Sequence, residues 1–169
     1  MRKHHEQTYV SGAETDSVFT PARIYAPLVE FFGGIGLDPC GHPDSPVPAR
    51  SRVFWPERDG LRISWGGHGL VYVNPPYSQL HREHRWILKG EEADECVWLV
   101  KANTTSQWFQ RGLANLASLI TFLKFRVHFA NQKDSVPWHS VLAYRGPRAA
   151  VWLAEIEPLM GFTVPGGAL

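Results

Sequence analysis

The chain has 169 residues, 44% hydrophobic and 20% charged, which is the size and composition of one soluble domain with a real core. No apolar run reaches the ~18–20 residues that span a bilayer. Cys40 and Cys96 make neither a disulfide framework nor a paired zinc motif, and a net charge of +1 means that any grip on a polyanion must come from a local patch.

Residues 1–16 lack periodicity and read as a flexible arm, with 17–169 as a single domain. Arg2, Lys3, His4 and His5 are not followed by an apolar segment, so no signal peptide is expected, and a cytoplasmic, reducing location is. Asp16 or Ser17 is a candidate helix cap, although Pro21 sets the start near Thr20. Ile24, Leu28, Val29 and Phe32 then recur at helical spacing until Gly33-Gly34. A short strand over 35–37 points at Asp38, and 41–50, with Pro43, Pro46 and Pro48, reads as loop. A strand over 52–55, a turn at Asp59-Gly60 and a strand over 70–73 come next.

Residues 78–89 read as a helix, 96–100 as a buried strand, and 106–117 as a helix with Trp108, Phe109, Leu113 and Leu116 on one side. Three more strands are expected over 119–123, 127–129 and 140–144. Strand–helix alternation followed by clustered strands predicts an α/β domain, its sheet mostly parallel with an antiparallel end.

The most informative segment is Val71-Tyr72-Val73-Asn74-Pro75-Pro76-Tyr77. Neither proline can donate to a sheet ladder, so the apolar strand must stop here. Pro75 also biases Asn74 toward an extended backbone. The result is a stiff turn that fixes the Asn74 amide, the carbonyls around Pro75 and the Tyr77 ring. An exocyclic amine is a poor nucleophile because its lone pair is delocalised into the ring. Two acceptors, the Asn74 side-chain oxygen and the Pro75 carbonyl, favour the pyramidal nitrogen that attacks a methyl group. Tyr77 would stack on the base, which must first leave the duplex.

Other segments extend this pattern. They are Thr20-Pro21 leading to Leu37-Asp38-Pro39-Cys40-Gly41, Asp59-Gly60-Leu61 with Trp65, and Trp86 with Lys89-Gly90. Thr104 with Trp108-Phe109, and 124–145 with Pro137-Trp138, complete it. Over residues 17–160 the chain resembles S-adenosylmethionine-dependent amino-methyltransferases, and more narrowly the small phage and prophage family of DNA N6-adenine methyltransferases. The resemblance implies an abbreviated Rossmann-like methyltransferase fold. One departure stands out, since 38–44 carry one glycine where methyltransferases usually continue Gly-x-Gly.

The resemblance implies catalysis by Asn74, Pro75, Pro76 and Tyr77. It also implies S-adenosylmethionine held by Thr20 and Pro21 at its methionine end and by Asp38, Pro39 and Cys40 beside the methionine or ribose. Asp59 has two readings, as a second cofactor contact whose carboxylate takes the ribose hydroxyls or as an ordinary turn residue; Glu57 is a weaker alternative. Only 36 positions separate Asp38 from Asn74, room for one strand between them. Arg82, Arg85 and Lys89 beside the active strand, and Lys101 after the next one, are candidate phosphate contacts, and Trp138 a candidate flank for the base or DNA. His81 and His84 lack a third ligand at metal spacing, so no metal is expected.

The expected function is therefore methyl transfer from S-adenosylmethionine to adenine N6 in DNA, by a monomer or homodimer of short or relaxed specificity. Alternatives are another planar amine (an RNA base, protein glutamine or cytosine N4) or an inactive DNA-binding module of the same fold.

Overall fold

A computed structural model describes residues 16–54, 56–80 and 84–167. Its frame is a seven-stranded sheet of order β2-β1-β3-β4-β6-β5-β7. The strands are β1 (Ile35–Gly41), β2 (Ala49–Phe54), β3 (Leu70–Val73), β4 (Glu95–Lys101), β5 (Leu119–Leu123), β6 (Ser140–Arg145) and β7 (Gly161–Pro165). β2, β1, β3 and β4 run parallel, and β6, β5 and β7 join antiparallel. The parallel part with an antiparallel end agrees with the expected Rossmann-like arrangement.

Helix α1 (Ala22–Phe32) starts behind Pro21 in an extended conformation and stops at Gly33, whose φ of 72° is left-handed. Neither Asp16 nor Ser17 caps it, because the cap position is Pro21 and carries no side-chain cap bond. One strand, β2, separates β1 from β3 in sequence, as the spacing predicts. The chain passes from β1 to β2 on one side and returns to β3 on the other. The carboxyl ends of β1 and β3 therefore flank the switch point where open α/β sheets bind ligands.

Several expectations are corrected. The strand expected over 35–37 continues through Gly41, so Asp38, Pro39 and Cys40 are strand residues. Pro39 is tolerated there because the pairing of β1 with β2 slips between Asp38 and Gly41. A bulge is where a strand accommodates a residue without an N–H. The helix expected over 78–89 is broken into a 3₁₀ turn Tyr77–Gln79, the short α2 (Arg85–Leu88) and a second turn Lys89–Glu92. His84 cannot continue a right-handed helix with φ at 54°. The helix expected over 106–117 contains a π-helix, Trp108–Leu113, before α3 (Ala114–Leu116).

The strand expected over 127–129 is absent. Val127 and Phe129 are buried, but they bury without a ladder. The sequence reading also missed α4 (Ala149–Glu155), α5 (Glu157–Met160) and β7. The strand predicted to reach residue 55 is seen through Phe54, and Trp55 lies outside the described residues.

The core fills both faces of the sheet, with Trp65, Trp86, Trp98 and Trp152 fully buried. Buried indoles need acceptors: Trp65 donates to the Gly60 carbonyl (2.9 Å), Trp98 to the Trp86 carbonyl (3.1 Å) and Trp152 to Thr121 Oγ1 (2.9 Å). At the amino end of β4, Glu95 accepts from Arg148 Nε (3.0 Å) and from the Tyr144 hydroxyl (2.5 Å), and Arg148 also donates to the Phe31 carbonyl (3.2 Å). This network ties α1, β4 and β6 together at the end of the sheet away from the switch point. No helix among the described residues is long and apolar enough to cross a membrane.

Candidate active site

Four strand ends converge on one edge. β1 ends at Asp38–Gly41, β3 runs into Asn74, and β4 ends at Lys101. Antiparallel β6 begins there, with Ser140 paired to Lys101, so Trp138 two residues earlier reaches the same edge. Residues more than sixty positions apart thus meet because three strands end where a fourth begins.

Between β1 and β3 lies an open cleft lined by Asp38, Cys40, Thr20, Val18, Val47 and Asn74, among others. Asp38 forms a buried acidic wall, 5% exposed. Its carboxylate accepts from the Cys40 N–H (3.2 Å). Burial pushes its pKa up from 3.8 to about 7, against that hydrogen bond and the attraction of Arg52. Cys40 Sγ donates to the Asn74 carbonyl (3.2 Å), joining the ends of β1 and β3. Burial raises the Cys40 thiol pKa well above its ordinary value, so it is a neutral group.

The backbone of Gly60 is pressed against this wall, since a Cβ there would fall 1.8 Å from the Pro39 carbonyl oxygen. The Asp59-Gly60-Leu61 segment therefore acts as a buttress behind β1. Asp59 spends its carboxylate on the Leu61 N–H (3.0 Å), lies 3.6 Å from Arg62 and does not line the cleft. Thr20 lines it and is buried, sharing a hydrogen bond with the Tyr72 hydroxyl (2.9 Å). Pro21 stands just behind as the start of α1.

The segment Asp16 to Thr20 runs as a strap beside Asn74. Asp16 accepts from the Ser78 N–H (2.9 Å) and from its hydroxyl (2.5 Å). The Val18 carbonyl accepts from Asn74 Nδ2 (2.9 Å). Because a carbonyl has no hydrogen to give, the amide end facing Val18 must be the NH₂, and the oxygen faces the other way. That oxygen accepts from the Tyr77 hydroxyl (3.2 Å) and keeps a second lone pair. Pro75 and Pro76 are both buried.

On the far side of Asn74 stand Tyr77, Trp138 and Lys101. Tyr77 is 4% exposed and meets Trp138 edge-on, ring centroids 6.0 Å apart. Lys101 Nζ lies 4.0 Å from the Trp138 ring centre and 4.9 Å from that of Tyr77. Half-burial lowers the Lys101 pKa, while Asp16 pulls it back up. The Trp138 Nε1–H, like that of Trp108, is buried without an acceptor among the described residues.

The remaining predicted contacts diverge. Arg85 is exposed at the start of α2. Lys89 is paired with Glu92 (2.5 Å), whose carboxylate also takes the Trp65 N–H (3.3 Å), so it serves the turn. Arg82 and His81 lie outside the described residues. No group of three or more metal-ligating side chains occurs among the described residues.

Sequence reasoning missed the strap, along with His42, Ser45 and Val47 across the cleft. Ser17 and Asp16 carried a signal as cap-type residues, but their partners are remote in sequence.

A family model described as DNA N-6-adenine-methyltransferase (Dam) matches residues 7–146. No curated protein and no solved structure gives a match.

Proposed function

Since this chain belongs to the DNA N-6-adenine-methyltransferase (Dam) family, we propose that S-adenosylmethionine occupies the cleft between β1 and β3 and that a flipped adenine enters on the Tyr77 side of Asn74. The observation that carries this is the position of Asn74 as the shared wall between an acid-lined cleft and an aromatic corner. The residues present fit a cationic donor. Asp38 offers a desolvated carboxylate, Gly41 leaves room beside it (a Cβ would approach Asp38 Oδ2 to 3.0 Å), and Val18 and Val47 supply apolar wall. When bound, that donor supplies an electrophilic methyl group.

The rest of the chemistry is the chain's own. Asn74 Oδ1 and the Pro75 carbonyl accept the two N–H bonds of the adenine amine and hold its nitrogen toward the cleft. As nitrogen takes the methyl group, the methyl–sulfur bond would break with its electron pair left on a neutral thioether, and the positive charge that passes to nitrogen is stabilised by these two acceptors. One proton then leaves to solvent, restoring a neutral amine. Tyr77 is held by its hydroxyl bond to Asn74, with an edge of Trp138 against it, and the two rings form the walls against which the base rests. The Trp138 indole N–H, without an acceptor among the described residues, is a donor suited to a ring nitrogen or a phosphate oxygen. Lys101, at the same edge, is the phosphate contact best supported by position, with exposed Arg85 a more distant candidate.

The test is transfer of labelled methyl from S-adenosylmethionine to unmethylated duplex DNA, followed by nucleoside analysis. N6-methyladenine is the expected product. Label absent from DNA while the donor binds would overturn the placement of the acceptor.

A further inference from the structure

We propose that Asn131, an exposed residue in the loop between β5 and β6, is a positioning residue for methyl transfer. It acts through the strap, and the inference rests on the reading of Asn74 as the acceptor of the adenine amine.

Asn131 holds the strap with both ends of its side chain. Its Nδ2 donates to the Ser17 carbonyl (2.6 Å) and its Oδ1 accepts from the Phe19 N–H (2.8 Å). The neighbouring Ala130 N–H donates to the Phe19 carbonyl (2.7 Å). One amide side chain thus bonds the residues on either side of Val18, much as a neighbouring strand would. The strap is fixed again at Asp16 by Ser78 and at Thr20 by Tyr72. Between these anchors only Val18 turns its carbonyl onto Asn74.

The consequence follows from the symmetry of an amide. An unheld asparagine presents NH₂ or oxygen with similar ease, and NH₂ facing an amine sets donor against donor. The Val18 carbonyl removes that ambiguity, and its own position depends on Asn131, 113 residues further along the chain. The side-chain hydrogen bonds that Asn131 makes among the described residues go to strap backbone, so its influence passes through the backbone it holds. The same residues line the cleft, so loosening them reaches the donor as well.

The test compares Asn131→Ala and Asn131→Asp with the wild-type protein in single-turnover methyl transfer, with S-adenosylmethionine and duplex DNA both saturating, well below each protein's Tm. We expect Asn131→Ala to be about 10-fold slower, within what misplacing a catalytic group by about 1 Å produces. Asn131→Asp should fall between, because a carboxylate still accepts from Phe19 but cannot donate to Ser17. The donor Kd should weaken several-fold while KM for DNA stays put. A wild-type single-turnover rate in Asn131→Ala would overturn the proposal, even if its Tm fell. If Asn131→Ala does not fold, Asn131→Asp carries the same comparison.

A second readout is independent of turnover. In ¹⁵N spectra of the free protein, the Asn74 side-chain amide, identified by its loss in Asn74→Ala, should move toward the position of a free amide in the Asn131 variants. An unmoved resonance would also overturn the inference. Activity retained by Asn74→Ala would instead remove the reading beneath it, so the two failures are distinguishable.

Discussion

Asp38→Asn is the substitution in which stability and function should part most visibly. Asp38 is almost wholly buried, the attraction of Arg52 does not offset the burial of its charge, and its pKa is raised from 3.8 to about 7. Such a carboxyl takes up a proton on folding between those two values. Its contribution to stability is therefore fully present below about pH 4 and lost as pH rises to about 7, above which the loss is constant. The full difference corresponds to roughly 4 kcal/mol, and water entering the open cleft reduces it, so about 2–4 kcal/mol is expected. Asparagine has the same shape, can still accept from the Cys40 N–H and carries no charge.

At pH 8 Asp38→Asn should be more stable than the wild-type apo-protein by that amount, about 5–15 °C in Tm for a chain this long. At pH 4 the two should nearly coincide. The assay is urea unfolding at several pH values, reading the difference between the proteins so that other carboxylates cancel. Equal stability at pH 8, or a difference that does not change with pH, would refute the argument that the cleft holds a desolvated carboxylate. The functional cost is the counterpart, since the variant should bind the methyl donor at least 10-fold more weakly. Donor affinity in the wild type should decline as pH drops below about 7.

Asn74→Ala should reduce methyl transfer by at least 10²-fold, the scale seen when one positioned electrostatic contact is removed, with Tm shifted by only a few degrees; near-normal turnover would remove the central role given to this turn. Lys101→Met should weaken DNA binding and lower the slope of log K against log salt by about one; an unchanged slope would mean that the lysine serves only the Tyr77–Trp138 corner. Arg148→Met should destabilise the fold by about 2 kcal/mol through loss of the Glu95 network, since the guanidinium is partly exposed. Because that network sits at the opposite end of β4, kcat measured well below Tm should not move.

What the sequence revealed and what it hid follow from the range of the interactions. β3 and its proline stop were legible because Pro75 and Pro76 forbid a ladder whatever surrounds them. α1 was legible because four apolar residues at helical spacing need only one face to bury. Pro39 misled for the opposite reason, since a proline in an interior strand argues for a loop unless a bulge absorbs it, and a bulge depends on the register of two neighbours.

The break at His84 carries no mark in residue type, as histidine is compatible with a helix until packing places it at positive φ. Val127 and Phe129 looked like a strand because burial and ladder usually go together, and here only burial occurs. The strap was the least legible part. Residues 16–20 have no periodicity, and their meaning lies in Ser78, Asn74 and Asn131, none of which is local.

The division of the edge by Asn74 also bears on inhibition. On the proposed reading, donor and acceptor reach the reacting atoms from opposite sides of a single side chain, through openings lined by different residues. Each could then be blocked without excluding the other, and neither need wait for its partner to bind. A nucleoside analogue wedged against Tyr77 and an adenosyl analogue beside Asp38 would be additive ligands. A short tether through the gap beside the Asn74 amide would join them into one molecule whose affinity draws on both halves.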